Sequence, residues 1–263
     1  MAKKHTFAIC AYNESPYLEE CIRSVVAQKD YSEIILSTST PNDHIRDLCI
    51  RYSIPMYVND GECGITQDWE YAVGLAKTPI VTITHQDDIY YPDYSKLVVD
   101  EYCRRNKPLI IFSDYHEIRN EEYIKDNRLL KIKRIMLLPL RVQSFQRSKW
   151  IRRRILSLGS PICCPSVAYV PDELPHPIFL NHFRTNEDWE AWERFSKLDG
   201  DFVYIHKPLM AHRIHVDSET SAKIHDGGRS DEDYEMYRKF WPKLIARILT
   251  KGYKASENSN RLV

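Results

Sequence analysis

The sequence predicts an α/β fold: a mostly parallel sheet flanked by helices, with a helical C-terminal extension. Three observations carry this. Short apolar runs of strand length alternate with amphipathic helical stretches through the first half of the chain. Single helices between strands imply βαβ units, and so parallel neighbours. The alternation stops near residue 120, and the last segment shows helical periodicity alone.

The elements follow in order. "TFAICAY" is a strand. "NESPYLEECIRSVVAQ" opens with capping residues and places Pro16 at a first helical position. Leu18, Cys21, Ile22, Val25 and Val26 then share one helical face. "EIILSTS" is the second strand, and "NDHIRDLCIRYS" a helix with Ile45, Leu48, Cys49 and Tyr52 inward. "MYVND" is the third strand. "ITQDWEYAVGLAK" is a helix facing the core through Ile65, Trp69, Ala72 and Ala76. "PIVTIT", the helix "YSKLVVDEYCRR" and the strand "PLIIFSDY" complete the pattern. Beyond them, "RLLKIKRIMLLPLRVQSFQRSKWIRRRILSL" reads as basic amphipathic helices interrupted at Pro139. "TNEDWEAWERFSKL" is a helix, "FVYIHKPLMAHRIH" one or two strands, and "DEDYEMYRKFWPKLIARILTKGYK" helical with a break near Pro242. The closing "ASENSNRLV" is expected to fray.

Composition bounds the function. Apolar residues make up 43% of 263, enough for a sizeable core. Lys plus Arg equals Asp plus Glu at 37 each, which argues against a nucleic-acid partner. The seven cysteines are odd in number and include no Cys-x-x-Cys pair, so a reducing, cytoplasmic setting is expected. "MAKKHTFAICAY" enters a strand too soon for a signal peptide. No apolar run approaches the roughly 20 residues that span a bilayer. Charge is segregated, however. Residues 127–171 contain no Asp or Glu but carry ten Lys and Arg side chains. This belt is either a solvated helix face or a peripheral contact with an anionic membrane surface on its inner face.

In an open parallel sheet, ligands bind beyond the carboxyl ends of the strands. The residues just past each strand are therefore site candidates: Tyr12, Asn13 and Glu14; Ser37 and Thr38; Asn59 and Asp60; His85 to Asp88; Ser113 and Asp114. Of these, "HQDD" stands out. Adjacent carboxylates attract a hard divalent cation, and Mg2+ is commonly held by one or two carboxylates together with substrate phosphates. An Asp that caps the next turn is the alternative from spacing alone.

"FAICAYNESPYLEECIRSV", "EIILSTSTPND" and "GITQDWEYAVGLAKTPIVTITHQDDIYYPDY" resemble, in that order, the N-terminal half of family 2 glycosyltransferases, which are nucleotide-sugar-dependent enzymes of the GT-A fold. "ICCPSVAYV", "NEDWEAWERF" and "HRIHVDSETS" are similar to the acceptor half. The resemblance covers residues 5–221. It implies a GT-A domain over 1–221, with a nucleotide-sugar-binding half (1–115) and an acceptor half (116–221) that carries a basic helical insertion (127–158). A C-terminal helical tail (222–263) follows.

The resemblance also implies roles. Tyr12, Glu14, Ser37, Thr38, Asp68, Gln86, Asp87 and Arg213 bind the nucleotide-sugar, with a UDP-sugar the expected donor. His85, Asp87, Asp88 and His215 lie toward Mn2+ or Mg2+. Asp188 is the catalytic base. Two positions depart from the family pattern. Ser37 and Thr38 stand where many members carry paired Asp, which leaves the base read without charge. His85 replaces the first Asp of the metal segment and favours Mn2+, which accepts imidazole better than Mg2+ does.

The expected reaction is therefore an inverting hexosyl transfer to a glycan or lipid-linked acceptor, as in surface polysaccharide synthesis. A catalytically silent relative that binds nucleotide or a partner glycosyltransferase is the rival. A pyrophosphorylase-type enzyme is disfavoured because "CAYNESPY" is no Gly-rich phosphate loop. Trp189 and Trp192, beside Asp188, are expected to wall the acceptor side.

Overall fold

The computed structural model describes residues 2–215 and 229–258. The expected alternation is present as β1 (His5–Ala11), α1 (Leu18–Val26), β2 (Ser32–Thr38), α2 (Asp43–Tyr52), β3 (Met56–Val58), α3 (Ile65–Leu75) and β4 (Ile80–His85). β1 pairs in parallel with both β2 and β4, and β2 with β3. Cys10 lies opposite both Ser37 and His85, and Thr38 opposite Val58. The carboxyl ends of four strands thus share one edge. Helix α1 begins at Leu18, so Pro16 precedes the first turn rather than opening it.

The chain continues through β5 (Ile89–Tyr90), α4 (Tyr94–Arg104), β6 (Pro108–Arg119), β7 (Glu122–Ile124), α5 (Arg128–Leu137), α6 (Gln143–Gln146), α7 (Lys149–Leu156) and β8 (Val167–Tyr169). It closes with α8 (Glu187–Phe195), β9 (Asp201–Ile214), α9 (Arg229–Arg238) and α10 (Lys243–Asn258). The sheet order is β3-β2-β1-β4-β8-β6-β9-β5, with β7 on β6. Long parallel ladders dominate, and the short strands β5, β7 and β8 add antiparallel pairs. β8 wedges between β4 and β6, which a three-residue strand within "SPICCPSVAYV" does not announce by any period. "FVYIHKPLMAHRIH" is one strand, β9. It slips in register against β6 between Ser113 and Tyr115.

The sheet is apolar on both faces, as a two-sided parallel sheet must be. Along β1, Phe7, Ile9 and Ala11 face one core with Leu18, Ile22 and Ile45. Ala8 faces the other, with Ile83, Ile110, Phe112, Trp189 and Trp192. This period of two is the strand's own geometry. Trp189 and Trp192 have no exposed surface, so they do not wall an acceptor site. Trp189 Nε1 donates to Leu156 O at 3.0 Å, and Trp192 stacks on Tyr169. These indoles are the packing layer under α8.

The basic belt is largely spent on internal partners. Arg134 pairs with Asp114, Arg147 with Asp201, Lys149 with Asp199 and Arg153 with Glu193. Arg152 is buried, donating to the carbonyls of Gly200 and Leu198 and lying over the Phe202 ring. Helix α10 reaches Asn258. The 221/222 boundary, the "VDSETS" end of the last motif and residues 259–263 lie outside the described residues. No described helix is long and apolar enough to cross a membrane.

Candidate active site

Strand β4 ends at His85, and the chain turns at once: Asp88 N–H donates back to His85 O at 3.2 Å. It then returns as β5, antiparallel to β9, with Ile89 opposite Ala211. That return sets Asp87 and Asp88 against the end of β9. Asp88 is wholly buried. Its Oδ1 accepts from the Arg213 N–H at 2.9 Å and lies 2.9 Å from His212 Nδ1. Its Oδ2 has no hydrogen-bond partner among the described residues and lies 3.8 Å from His85 Nδ1. Asp87 Oδ2 lies 2.9 Å from His215 Nε2. The His85 ring stacks on Trp69 at 5.4 Å, and its buried Nε2 has no hydrogen-bond partner among the described residues either. One donor atom each from His85, Asp87 and Asp88 falls within 4.8 Å of the others.

The electrostatics match that geometry. Burial pushes the His85 imidazole down despite the nearby Asp88 and Asp87, so it stays neutral and keeps a lone pair to give. Burial would also lower His212, but the Asp88 charge and hydrogen bond prevail and hold it up. Burial alone would raise Asp87, yet the hydrogen bond from His215 draws its carboxyl below the usual range. Neutral nitrogen beside ionised oxygen is a donor set that suits a divalent cation such as Mn2+. Among the described residues, the buried His85 Nε2 and Asp88 Oδ2 lack the hydrogen bond that burial normally demands, Asp88 Oδ2 meeting His85 Nδ1 only at 3.8 Å. The residues present fit a metal.

Tyr12, Glu14, Ser37, Thr38, Asp68 and Gln86 lie along the same edge. Gln86 clamps the β1 end: its Oε1 accepts from Tyr12 N–H and its Nε2 donates to Tyr12 O, both at 3.0 Å. The Tyr12 ring is left exposed, and Glu14 is exposed beside it. At β2, Ser37 and Thr38 are buried, and Thr38 Oγ1 accepts from Thr40 N–H. The carboxylate at this end comes from α3. Asp68 accepts from Ser39 Oγ at 2.8 Å and from Asn59 Nδ2 at 2.7 Å.

Residues 6–168 match the model of the family described as "Glycosyl transferase family 2". The chain belongs to this family. No curated protein sequence matches it. Among solved structures, a mannosyltransferase from Pyrobaculum calidifontis, in complex with GDP-Man and Mn2+, is similar with a TM-score of 0.62 and 13% identity over 99% of this chain and 76% of that one. S. aureus TarS 1-349 gives 0.58 and 11% over 94% and 69%. Glucosyl-3-phosphoglycerate synthase from Mycobacterium tuberculosis, in complex with Mn2+ and UDP-glucose, gives 0.57 and 13% over 90% and 79%. At such identities the likeness is one of fold.

Within this family 2 protein, Arg213 is the residue whose surroundings sequence could not show. Its side chain is buried and lies 4.3 Å over the Tyr17 ring. Nε donates to Asp87 O, NH1 to both oxygens of Glu121 and NH2 to Glu20. Glu20 and Glu121 were not legible as site residues, because each looks like a solvated charge along the chain and only the fold brings both to Arg213. Asp188 sits half-exposed in the first turn of α8, its Oδ1 accepting from Trp189 N–H at 2.6 Å. Cys163 and Cys164 are unpaired in disulfides and held well above the ordinary thiol range, chiefly by burial. They are packing groups, not nucleophiles.

Proposed function

We propose that this protein is an inverting, metal-dependent hexosyltransferase. It moves a sugar from a UDP-sugar to a hydroxyl of a glycan or lipid-linked acceptor, in surface polysaccharide assembly. The observation that carries the reading is the cluster of one donor atom each from His85, Asp87 and Asp88 within 4.8 Å at the sheet's carboxyl edge, where Asp88 Oδ2 and His85 Nε2 are buried without a hydrogen bond among the described residues. The complexes of similar folds with GDP-Man and Mn2+, with UDP-GlcNAc, and with Mn2+ and UDP-glucose support the donor class.

His85, Asp87 and Asp88 would hold the cation, with His215 next to Asp87. A divalent metal there supplies Lewis acidity toward the negative charge that grows on the departing diphosphate. The donor lies across β1 toward β2. Neighbouring strands are about 4.8 Å apart, so the step from β4 to β2 is roughly 10 Å, the reach from a diphosphate to its base. Asp68, held by Ser39 and Asn59, would then face the base end and add a charge to the hydroxyls of Ser37 and Thr38. Tyr12 offers an exposed ring for stacking on the base or ribose, with Glu14 beside it.

Asp188 serves as general base. The acceptor oxygen forms its bond to the anomeric carbon as the bond from that carbon to the phosphate oxygen breaks. The acceptor proton passes to Asp188, and the electron pair leaves with the diphosphate. Attack opposite the leaving group inverts the anomeric centre, and positioned proton transfer of this kind contributes about 10²–10⁴-fold. Arg213 anchors the Asp87–Asp88 turn through Asp87 O and the Asp88 carboxylate. A diphosphate would compete with Glu20 and Glu121 for its guanidinium.

The test is thermal stabilisation by UDP, GDP, CDP and dTDP, with and without Mn2+, on wild type and Asp87→Asn. Stabilisation by UDP that needs Mn2+ and disappears in Asp87→Asn is the expected result. No shift with any nucleotide would overturn it in favour of a silent relative that binds a partner protein.

A further inference from the structure

The large exposed apolar side chains are not scattered over the molecule. Most fall in two basic segments, residues 132–158 and 244–248. Ile135, Val142, Phe145 and Trp150 project from the α5–α7 segment, with Trp150 70% exposed. Leu244 and Ile248 project from α10 at 72% and 63% exposure, while Ala246 and Thr250 of the same helix are buried. Helix α10 therefore packs one side inward and presents a second apolar ridge outward. Isolated surface apolars need no account, but a clustered set marks an interaction surface.

The two segments meet. Trp241, at the junction of α9 and α10, donates from Nε1 to Ser157 O at 2.7 Å, and Arg154 lies 5.0 Å over its ring. The outward ridge of α10 is thus joined to the end of α7. Six cations around these ridges, Arg128, Arg141, Arg154, Lys243, Arg247 and Lys251, form no ion pair among the described residues and are exposed. No Asp or Glu occurs in residues 127–171 or 243–256.

We propose that this face docks onto an anionic lipid bilayer. Apolar groups flanked by unpaired cations require a partner that offers apolar depth beneath a negative surface, as the boundary of an anionic leaflet does. A second copy of the chain fits poorly. A two-fold contact places the same patch on both subunits and would set basic face against basic face. The surface is also mechanically tied to the site. Lys133 of α5 donates to Tyr115 OH at 3.0 Å, and the Tyr115 ring lies 6.5 Å from His212. A protein held by this face keeps its site at the bilayer, within reach of a lipid-borne acceptor. The docking itself does not depend on which donor is used.

Flotation of the full chain with vesicles of phosphatidylcholine, and of phosphatidylcholine with 30% phosphatidylserine, tests it. Binding to the serine-containing vesicles at low salt, weakened in high salt, is expected. Trp150→Ser with Ile248→Ser should weaken it by about tenfold or more, because both side chains are exposed and removing them forfeits inserted apolar area. Circular dichroism and melting of the same variant should match wild type, since neither residue packs in the core. Absence of flotation with anionic vesicles at low salt, flotation unchanged in the variant, or a concentration-dependent dimer that the variant dissolves would each overturn the proposal.

Discussion

His212 Nδ1 lies 2.9 Å from Asp88 Oδ1, and that carboxylate has no exposed surface. The contact joins two points far apart in sequence and leaves the second oxygen, Oδ2, without a hydrogen bond among the described residues. An imidazole that orients a metal-binding carboxylate through its other oxygen is a recurrent arrangement, and its loss typically costs ~10–100-fold in metal affinity. His212→Gln is therefore expected to weaken Mn2+ binding by that order while leaving the fold intact. Isothermal titration with Mn2+ alone reads it directly. Wild-type affinity in the variant would show that His212 merely fills space.

Arg213 is buried, yet its two carboxylate partners, Glu20 and Glu121, are 53% and 70% exposed. An exposed partner contributes little, so Glu121→Gln should cost under ~1 kcal/mol. Arg213→Met should cost more, about 1–3 kcal/mol, because it removes the bonds to Asp87 O and to both carboxylates together. Arg213→Lys should rescue only part of this, since an ammonium cannot reproduce the planar fork. Urea denaturation of the three variants gives the ordering.

His5 is fully buried between Ser32 Oγ at 2.8 Å and Thr82 Oγ1 at 2.9 Å. Burial lowers its pKa to about 3. The unfolded chain then binds a proton near pH 6.5 that the folded chain refuses, so stability falls as pH drops from about 6.5 toward 3 and is unaffected above. Between pH 7 and 5 this one group should remove about 2 kcal/mol. His5→Gln should flatten that part of the profile, as seen by comparing urea midpoints of variant and wild type at the two pH values. Parallel profiles would show that His5 is not the source.

Gly200 has φ +140°, and a Cβ there would meet Lys107 O and Leu109 Cγ, both at 2.7 Å. The carbonyl belongs to the backbone and cannot swing aside. Gly200 O also accepts from Arg152. Gly200→Ala should therefore destabilise by about 2–4 kcal/mol through strain and displacement of that bond. Gly74, whose added Cβ would meet nothing within 4 Å, is the control: Gly74→Ala should be neutral or slightly stabilising in the same melting experiment.

Most elements of the first half of this protein were legible in the sequence, the two-residue β5 and the exact start of α1 excepted. Strand and helix periods differ, and the runs from β1 to α4 are long enough to show them. The strand-end rule then pointed to His85, Gln86, Asp87 and Asp88 before any contact was known. What the tertiary structure alone decided is how those residues are completed. β8, too short to have a period, enters the sheet between β4 and β6. The antiparallel pairing of β5 with β9 brings His212 and Arg213 to Asp88. Asp68 reaches Ser39 and Asn59 from a helix, where the β2 end offers only hydroxyls. Trp189 and Trp192 turn into the core instead of lining a cleft. Local periodicity records which face of an element is apolar. It carries no record of which distant element covers that face, because pairing is settled by the packing of the whole chain.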